Sequence, residues 1–254
     1  MAAAAQPAPR PDWRGIALFY LLACGISGPL LLWRDLAPES WAASPIPPWL
    51  RPLLYGWGPA IGALIVLRVR RAHHRRTITL TGGSTGASLF AVAFPVVLLA
   101  AWAPARTAAS PHLAGLIAGS HAVAYAFGEE LGWRGYLQDA LRPLRPWPRW
   151  LLLGLMWGIW HMLTFAGHGP IGEQLLRLAI FYAVLVLASA AIGNAVERSR
   201  SLLVATACHL FYTYSQMHSG RDRWGLLAVL IPVTMLLVRF WPVPERHDGP
   251  VRAA

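Results

Sequence analysis

Residues 126–137 read Ala-Phe-Gly-Glu-Glu-Leu-Gly-Trp-Arg-Gly-Tyr-Leu. Glu129 and Glu130 stand side by side in a run that otherwise has the composition of lipid-soluble helix, with Arg134 one turn later. A carboxylate at the centre of a spanning helix costs about 2.5–3.5 kcal/mol on insertion scales, so such groups face a protein-lined or watery interior and mark a working site. Of the 11 acidic residues in the chain, these two are the ones the reading places well inside a bilayer.

The rest of the chain supports that reading. It has 254 residues, 56% hydrophobic and only 13% charged, against roughly 25% charged in an ordinary soluble domain. The expected class is all-α, a polytopic membrane protein. Apolar runs near the ~20 residues needed to cross a bilayer fall at 14–33, 52–69, 86–103, 112–141, 150–166, 174–193, 201–218 and 224–241, which predicts about eight transmembrane helices. Residues 14–241 then form a single transmembrane domain, flanked by a disordered Ala/Pro-rich segment at 1–13 and a short tail at 242–254. Pro29, Pro59, Pro95 and Pro232 lie within spans, where neighbouring helices satisfy the freed carbonyls.

A formal charge of +11 raises the question of nucleic acid, but the arginines are spread over loops instead of forming a foldable basic face. Topology explains them better, and no nucleic-acid partner is expected. An inside N-terminus puts about 15 arginines on inner segments and about 5 on outer ones, as the positive-inside rule requires. Arg68, Arg70, Arg71, Arg75 and Arg76 make the decisive inner loop, and Arg142, Arg145, Arg149, Arg198 and Arg200 follow the same side. The expectation is a multi-pass protein of the cell inner membrane with both termini cytoplasmic. All 22 basic residues are arginine, a usage that points to a GC-rich bacterial genome. Cys24 and Cys208 both fall inside spans, so no disulfide framework is indicated. Leu21-Leu22-Ala23-Cys24 faintly matches a lipoprotein cleavage site, but the apolar run continues to Trp33 and cleavage would break the topology.

On a helix, residues four apart share a face and adjacent residues point about 100° apart. Glu130 and Arg134 therefore face each other as an ion pair, and Glu129 is left for chemistry. The fifth run carries His161 and the seventh His209. Counted from the predicted inner ends, Glu129, His161 and His209 lie about 18, 16 and 12 Å deep at ~1.5 Å per residue, which puts them in one layer of the central to cytoplasmic part of the bilayer. A carboxylate and two imidazoles at one level suit activation of water and stabilisation of an oxyanion. Glu129, His161 and His209 equally suit a zinc shell with an open position for water, although they lack the His-Glu-x-x-His spacing of soluble zinc peptidases. The sequence leaves both chemistries open. His73, His74, His112, His168, His218 and His247 sit in loops, tails or near span ends, and His121 is a weaker candidate for the cavity wall. Cys208 points away from the layer as a packing residue.

Glu129-Glu130-x-x-x-Arg134, an aromatic four residues before His161, and then His209, in that order, resemble the CPBP (Abi, CAAX protease and bacteriocin-processing) family of intramembrane peptidases. The resemblance covers about 112–218. It implies that Glu129 is the base, His161 its partner in activating water and His209 an oxyanion donor, with Glu130 and Arg134 supporting. Two positions depart from the pattern. Trp157 replaces a phenylalanine, which reshapes the cavity wall, and Thr213 replaces the asparagine one turn after the third-motif histidine. Threonine brings one hydroxyl donor in place of an amide, with Tyr212 and Gln216 as nearby substitutes. The expected function is an intramembrane endopeptidase acting on a membrane-associated peptide or protein, prenylated or bacteriocin-like, through a cavity open to the cytoplasmic half of the bilayer. The rival is a weakly active or inactive scaffold or immunity protein of the same fold.

Overall fold

The structure is a computed structural model that describes residues 10–71, 76–101, 110–162, 170–217 and 220–242. His73, His74, His168, His218 and His247 lie outside the described residues, as does most of the segment expected to be disordered. The fold is all-helical: α1 (Trp13–Leu36), α2 (Pro38–Ala43), α3 (Leu50–Gly56), α4 (Gly58–Val69), α5 (Thr85–Ala101), α6 (Pro111–Gly132), α7 (Pro146–Met162), α8 (Ile171–Ser199), α9 (Leu202–Met217) and α10 (Gly220–Arg239). Within the described residues the apolar runs read from the sequence fall on helices, with 52–69 divided between α3 and α4 and 112–141 running past the end of α6. By length and composition α1 and α8 are long and apolar enough to cross a membrane, and the pair α3–α4, bent by 40°, makes a third candidate if it is one span; α5, Leu202–Phe211 and Trp224–Arg239 are shorter apolar helices.

The surface inverts the soluble pattern. Leu21, Ile117, Leu175, Leu187, Met235 and Phe240 are exposed, whereas Glu129, Glu130, Arg134 and Gln138 are fully buried. Apolar side chains facing outward over polar groups facing inward are what a lipid solvent demands.

α6 is the axis of the bundle and packs against α3, α4, α5 and α9. Its start is set locally: Ser110 caps the amide of Leu113 at 3.4 Å, and Pro111 occupies the first turn, where a missing N–H costs nothing. The run expected as one helix over 112–141 changes character at its inner part. Trp133–Gln138 is a π-helical turn, with all six residues buried. Such turns occur mostly as short bulges at functional sites, and hydrophobic periodicity carries no signal for them.

The bend between α3 and α4 also has an identifiable cause. Gly56, Trp57, Gly58 and Pro59 are consecutive, and the proline removes an amide donor at the start of α4. The bend drives Trp57 into α6, where its indole N–H donates to the Ala124 carbonyl at 2.9 Å. Gly128 and Gly132 make room, since a β-carbon on Gly128 would stand 2.6 Å from the Trp57 ring, and one on Gly132 would stand 2.7 Å from the Pro59 backbone. The two glycines flank the carboxylate pair by one and two positions. Below them Phe19, Trp133 and Trp160 interlock, with edge-on ring contacts at 5.5 and 6.0 Å.

The arginines gather at one end of the bundle and tie its elements together. Arg70, at the end of α4, forks onto Asp12 at the start of α1 at 2.6 and 2.8 Å. Asp139 accepts from the Thr77 hydroxyl at 2.6 Å and pairs with Arg142 at 3.1 Å. Arg149 pairs with Glu197. A strap after α4 crosses this end, where Thr79 bridges Ser201 and the Thr79 amide donates to the Arg200 carbonyl at 2.9 Å. Arg200 turns there with φ of 55°. At the opposite end stand Arg34, Arg51 and Arg177, beside Asp35, Glu39 and Glu173, with Arg221 and Arg223 in the first turn of α10; Arg34 pairs with Asp35 at 2.7 Å and Arg177 with Glu173 at 3.2 Å.

The close approach of α4 and α6 is testable. Gly132→Ala places a methyl against backbone that cannot move aside, so it should destabilise the protein by about 1–3 kcal/mol, read as a lower midpoint of thermal unfolding in detergent. An unchanged midpoint would show that the two helices are not held at this distance.

Candidate active site

The buried polar layer is assembled from three helices. Where α6 runs into the π-helical turn, Arg134 Nη1 donates to Glu130 Oε1 at 2.8 Å with both side chains fully buried, the ion pair expected from their four-residue spacing. The same oxygen takes a second partner that no spacing within α6 reveals, because His209 Nδ1 from α9 lies 2.7 Å away. A carboxylate that already accepts from arginine is an acceptor only, so the histidine donates. Its Nδ1–H is thereby fixed on Glu130, and Nε2 is the nitrogen left for other work.

Glu129 faces a different set of groups, as adjacency on a helix requires. The Trp157 indole donates to Glu129 Oε2 at 2.8 Å. His161 Nε2 is 3.8 Å from the same oxygen, beyond a direct hydrogen bond and within the reach of one water bonded to both. The other oxygen, Glu129 Oε1, is buried with no hydrogen-bond partner among the described residues. Trp157 is therefore more than a cavity wall. Its ring lies between the histidines, 5.7 Å from His161 and 5.5 Å from His209 by centroid, with the Arg134 guanidinium 4.5 Å over its face. Phenylalanine at this position would keep the packing and lose the bond to Glu129.

Tyr125 was not singled out by the sequence. It precedes Glu129 by one turn on the same face of α6, its ring stands edge-on to His209 at 6.4 Å, and its hydroxyl neighbours the Glu129 carboxylate. A tyrosine four residues before a glutamate was the available signal. Thr213, one turn beyond His209, borders a cleft of about 600 Å³ together with Tyr55, His121 and Tyr125. His121 therefore does line a cavity, and its Nε2 meets the Trp49 carbonyl. His112 is held at the far end by the Ala100 carbonyl at 2.8 Å. The side chains of Tyr212 and Gln216 lie outside the described residues, while Cys24 and Cys208 are free thiols.

The cleft lies along the first half of α6, on the other side of Glu129 from the arginines, and Glu129, His161 and His209 are not among its lining residues. Trp133, Tyr136 and Leu137 are buried on the arginine-rich side of the layer.

Among the described residues no three His, Cys, Asp or Glu side chains converge as metal ligands, and Glu129 Oε2 is taken by an indole N–H that a bound cation would repel. His209, with Nδ1 on Glu130, keeps Nε2 in the arrangement a ligating histidine also has.

Lipid-exposed helices around a closed layer of carboxylates and imidazoles define a membrane protein with acid–base groups held among its helices. Residues 111–215 match the family described as type II CAAX prenyl endopeptidase Rce1-like. The resemblance to the CPBP, or CAAX protease-like, family thus holds over α6 to α9, the stretch that carries all three motifs. No curated protein matches the chain.

Removing one partner of a buried ion pair leaves the other charge uncompensated, which costs about 3–5 kcal/mol. Glu130→Ala and Arg134→Ala should both reduce the yield of folded protein and its unfolding midpoint. Glu129→Gln keeps the acceptor for Trp157 and should unfold near the wild-type midpoint. Equal losses for all three would show that Glu129 is as structural as its neighbour.

Proposed function

We propose that the chain is an intramembrane endopeptidase that hydrolyses a peptide bond with a water activated by Glu129 and His161. The observation that carries this reading is the buried Glu129 carboxylate, with Oε2 oriented by the Trp157 indole at 2.8 Å and 3.8 Å from His161 Nε2, and with the Tyr125 hydroxyl beside it. An oriented base with acceptor capacity left over is what water activation needs.

In the proposed reaction a water held between Glu129 and His161 gives up a proton as its oxygen attacks the scissile carbonyl carbon. The oxyanion that forms is met by His209 and Thr213. Because Nδ1 of His209 already donates to Glu130, a proton on Nε2 makes the ring cationic, and the Glu130 carboxylate neutralises that charge. Collapse of the tetrahedral species breaks the C–N bond, and the proton taken from water goes to the leaving amine. The whole sequence uses protein groups and one water.

The family match supports a membrane-associated peptide or protein substrate, and its printed description brings prenylated C-terminal CAAX tails to the front. Bacteriocin-like peptides are the second substrate class. We further propose eight crossings in a bacterial inner membrane, a single domain over 14–241, and cytoplasmic termini, since the arginine-tied end of the bundle holds both the start of α1 and the end of α10. Thr213 favours one rival reading, a weakly active or inactive scaffold or immunity protein, because it offers a hydroxyl where the family pattern has an amide.

Purified protein assayed against prenylated and unprenylated membrane peptides decides between these. Glu129→Gln and His161→Ala should each lower turnover by about 10²-fold or more while inserting and folding normally, His209→Ala should lower turnover as far and also lower the unfolding midpoint through its lost bond to Glu130, and a zinc chelator should leave the wild type active. Thr213→Asn should raise turnover, by up to ~10²-fold if the amide completes the oxyanion site. Full activity in Glu129→Gln would sink the assignment. Absence of cleavage in both wild type and Thr213→Asn would favour the scaffold.

A further inference from the structure

One face of α7 presents two groups to a single oxygen of Glu129. Trp157 and His161 are four residues apart and therefore point the same way along the helix. The Trp157 indole donates to Glu129 Oε2 at 2.8 Å, while His161 Nε2 stands 3.8 Å from that atom. The first is a full hydrogen bond and the second is beyond one. A fully buried carboxylate beside an imidazole gains by closing to direct contact, because charge-assisted bonds strengthen where water is excluded. The bond already made by the indole holds the shared oxygen where it stands.

The indole and the imidazole are both held from behind. The Arg134 guanidinium lies 4.5 Å over the Trp157 ring, attracted to its face, and is itself tied to Glu130 at 2.8 Å. The His161 ring is set edge-on between Trp160 and Phe181, with centroids at 4.8 and 6.0 Å. Behind both of them α7 sits directly on α8: a β-carbon on Gly154 would stand 2.7 Å from the Val186 Cα, and one on Gly158 would meet the Tyr182 ring. With α7 seated in this way, the part left to move is the Glu129 side chain. Tyr125 neighbours that carboxylate from its own helix and so does not set its distance from α7. The indole N–H does.

We propose that Trp157 is a positioning residue that keeps Glu129 and His161 apart by the width of one water, so that the attacking water fills the gap in place of a direct carboxylate–imidazole contact. Its part in turnover rests on the peptidase reading given above. It gives the tryptophan a task that the phenylalanine of the family pattern cannot perform, since a phenyl ring has no N–H to offer Glu129. Without that donor the carboxylate swings onto His161, and both groups spend on each other the capacity that water activation requires.

Two variants of the full chain test this, Trp157→Phe and a chain carrying benzothienylalanine at position 157, which keeps the bicyclic shape and replaces the N–H by sulfur. The first measurement needs no turnover. Crystal structures of wild type and variants should show the Glu129–His161 separation closing from that of the wild type to a direct bond of about 2.7–3.2 Å. The second is cleavage of membrane peptides by purified protein, in which both variants should lose ~10–10²-fold in kcat with KM unchanged, the cost of misplacing a reacting group by about 1 Å. Should Trp157→Phe fold poorly, the benzothienylalanine chain carries both measurements. An unchanged gap in the variants would overturn the proposal, and so would wild-type kcat in the benzothienylalanine chain, which would leave Trp157 a packing residue. Failure of the peptidase reading shows separately, as absence of cleavage by the wild type. A gap that closes in the variants of such a protein would make Trp157 a structural spacer and overturn its part in a reaction.

Discussion

One oxygen atom organises the interior. Glu130 Oε1 accepts from Arg134 at 2.8 Å and from His209 at 2.7 Å, with the two carboxylates and the guanidinium fully enclosed. In a medium without water each of these charges must find its partner inside the protein, and separating them would leave a bare ion in hydrocarbon. The requirement fixes the rotation of α6 and draws α9 against it, so His209 acquires both its place and its tautomer from a neighbouring helix. Glu129 then stands on an adjacent face with a different obligation, to Trp157 of α7. Two consecutive side chains of one type thus divide labour through geometry alone.

Backbone chemistry makes that arrangement reachable. Without Gly128 and Gly132 the bent segment at Trp57 could not lie against α6, and without the Gly-Trp-Gly-Pro bend the indole would not reach the Ala124 carbonyl. The interlocked Phe19, Trp133 and Trp160 rings fill the volume toward the arginine-tied end. A cleft lies on the opposite side, where small residues on α6 alternate with His121 and Tyr125.

Much of this was legible in the residues. The cost of burying charge singled out Glu129 and Glu130, the helical repeat paired Glu130 with Arg134, and apolar runs located the helices. What escaped was of one kind: contacts between helices distant in sequence. Nothing local says that His209 joins Glu130, 79 residues away, or that the indole of Trp157 holds Glu129. The π-helical turn escaped because its six residues have no distinctive periodicity. The number of crossings was read from hydropathy, and helix length and composition by themselves identify fewer.

The strap over the arginine-tied end has a consequence for how the chain is made. The Ser201 hydroxyl donates to the Leu80 carbonyl across 121 residues of sequence, and the amides of Leu202 and Leu203 donate to Thr79 and Leu80. During synthesis the strap can be held at Thr77 and Ile78 by Asp139, but Thr79 and Leu80 wait for these partners until α8 has been threaded, the turn at Arg200 has formed and α9 has begun. α5 and the connection before it are held provisionally through all of that time. Biogenesis therefore ends with a clasp, and a chain interrupted before residue 201 retains its early helices but lacks the fastening that closes the bundle.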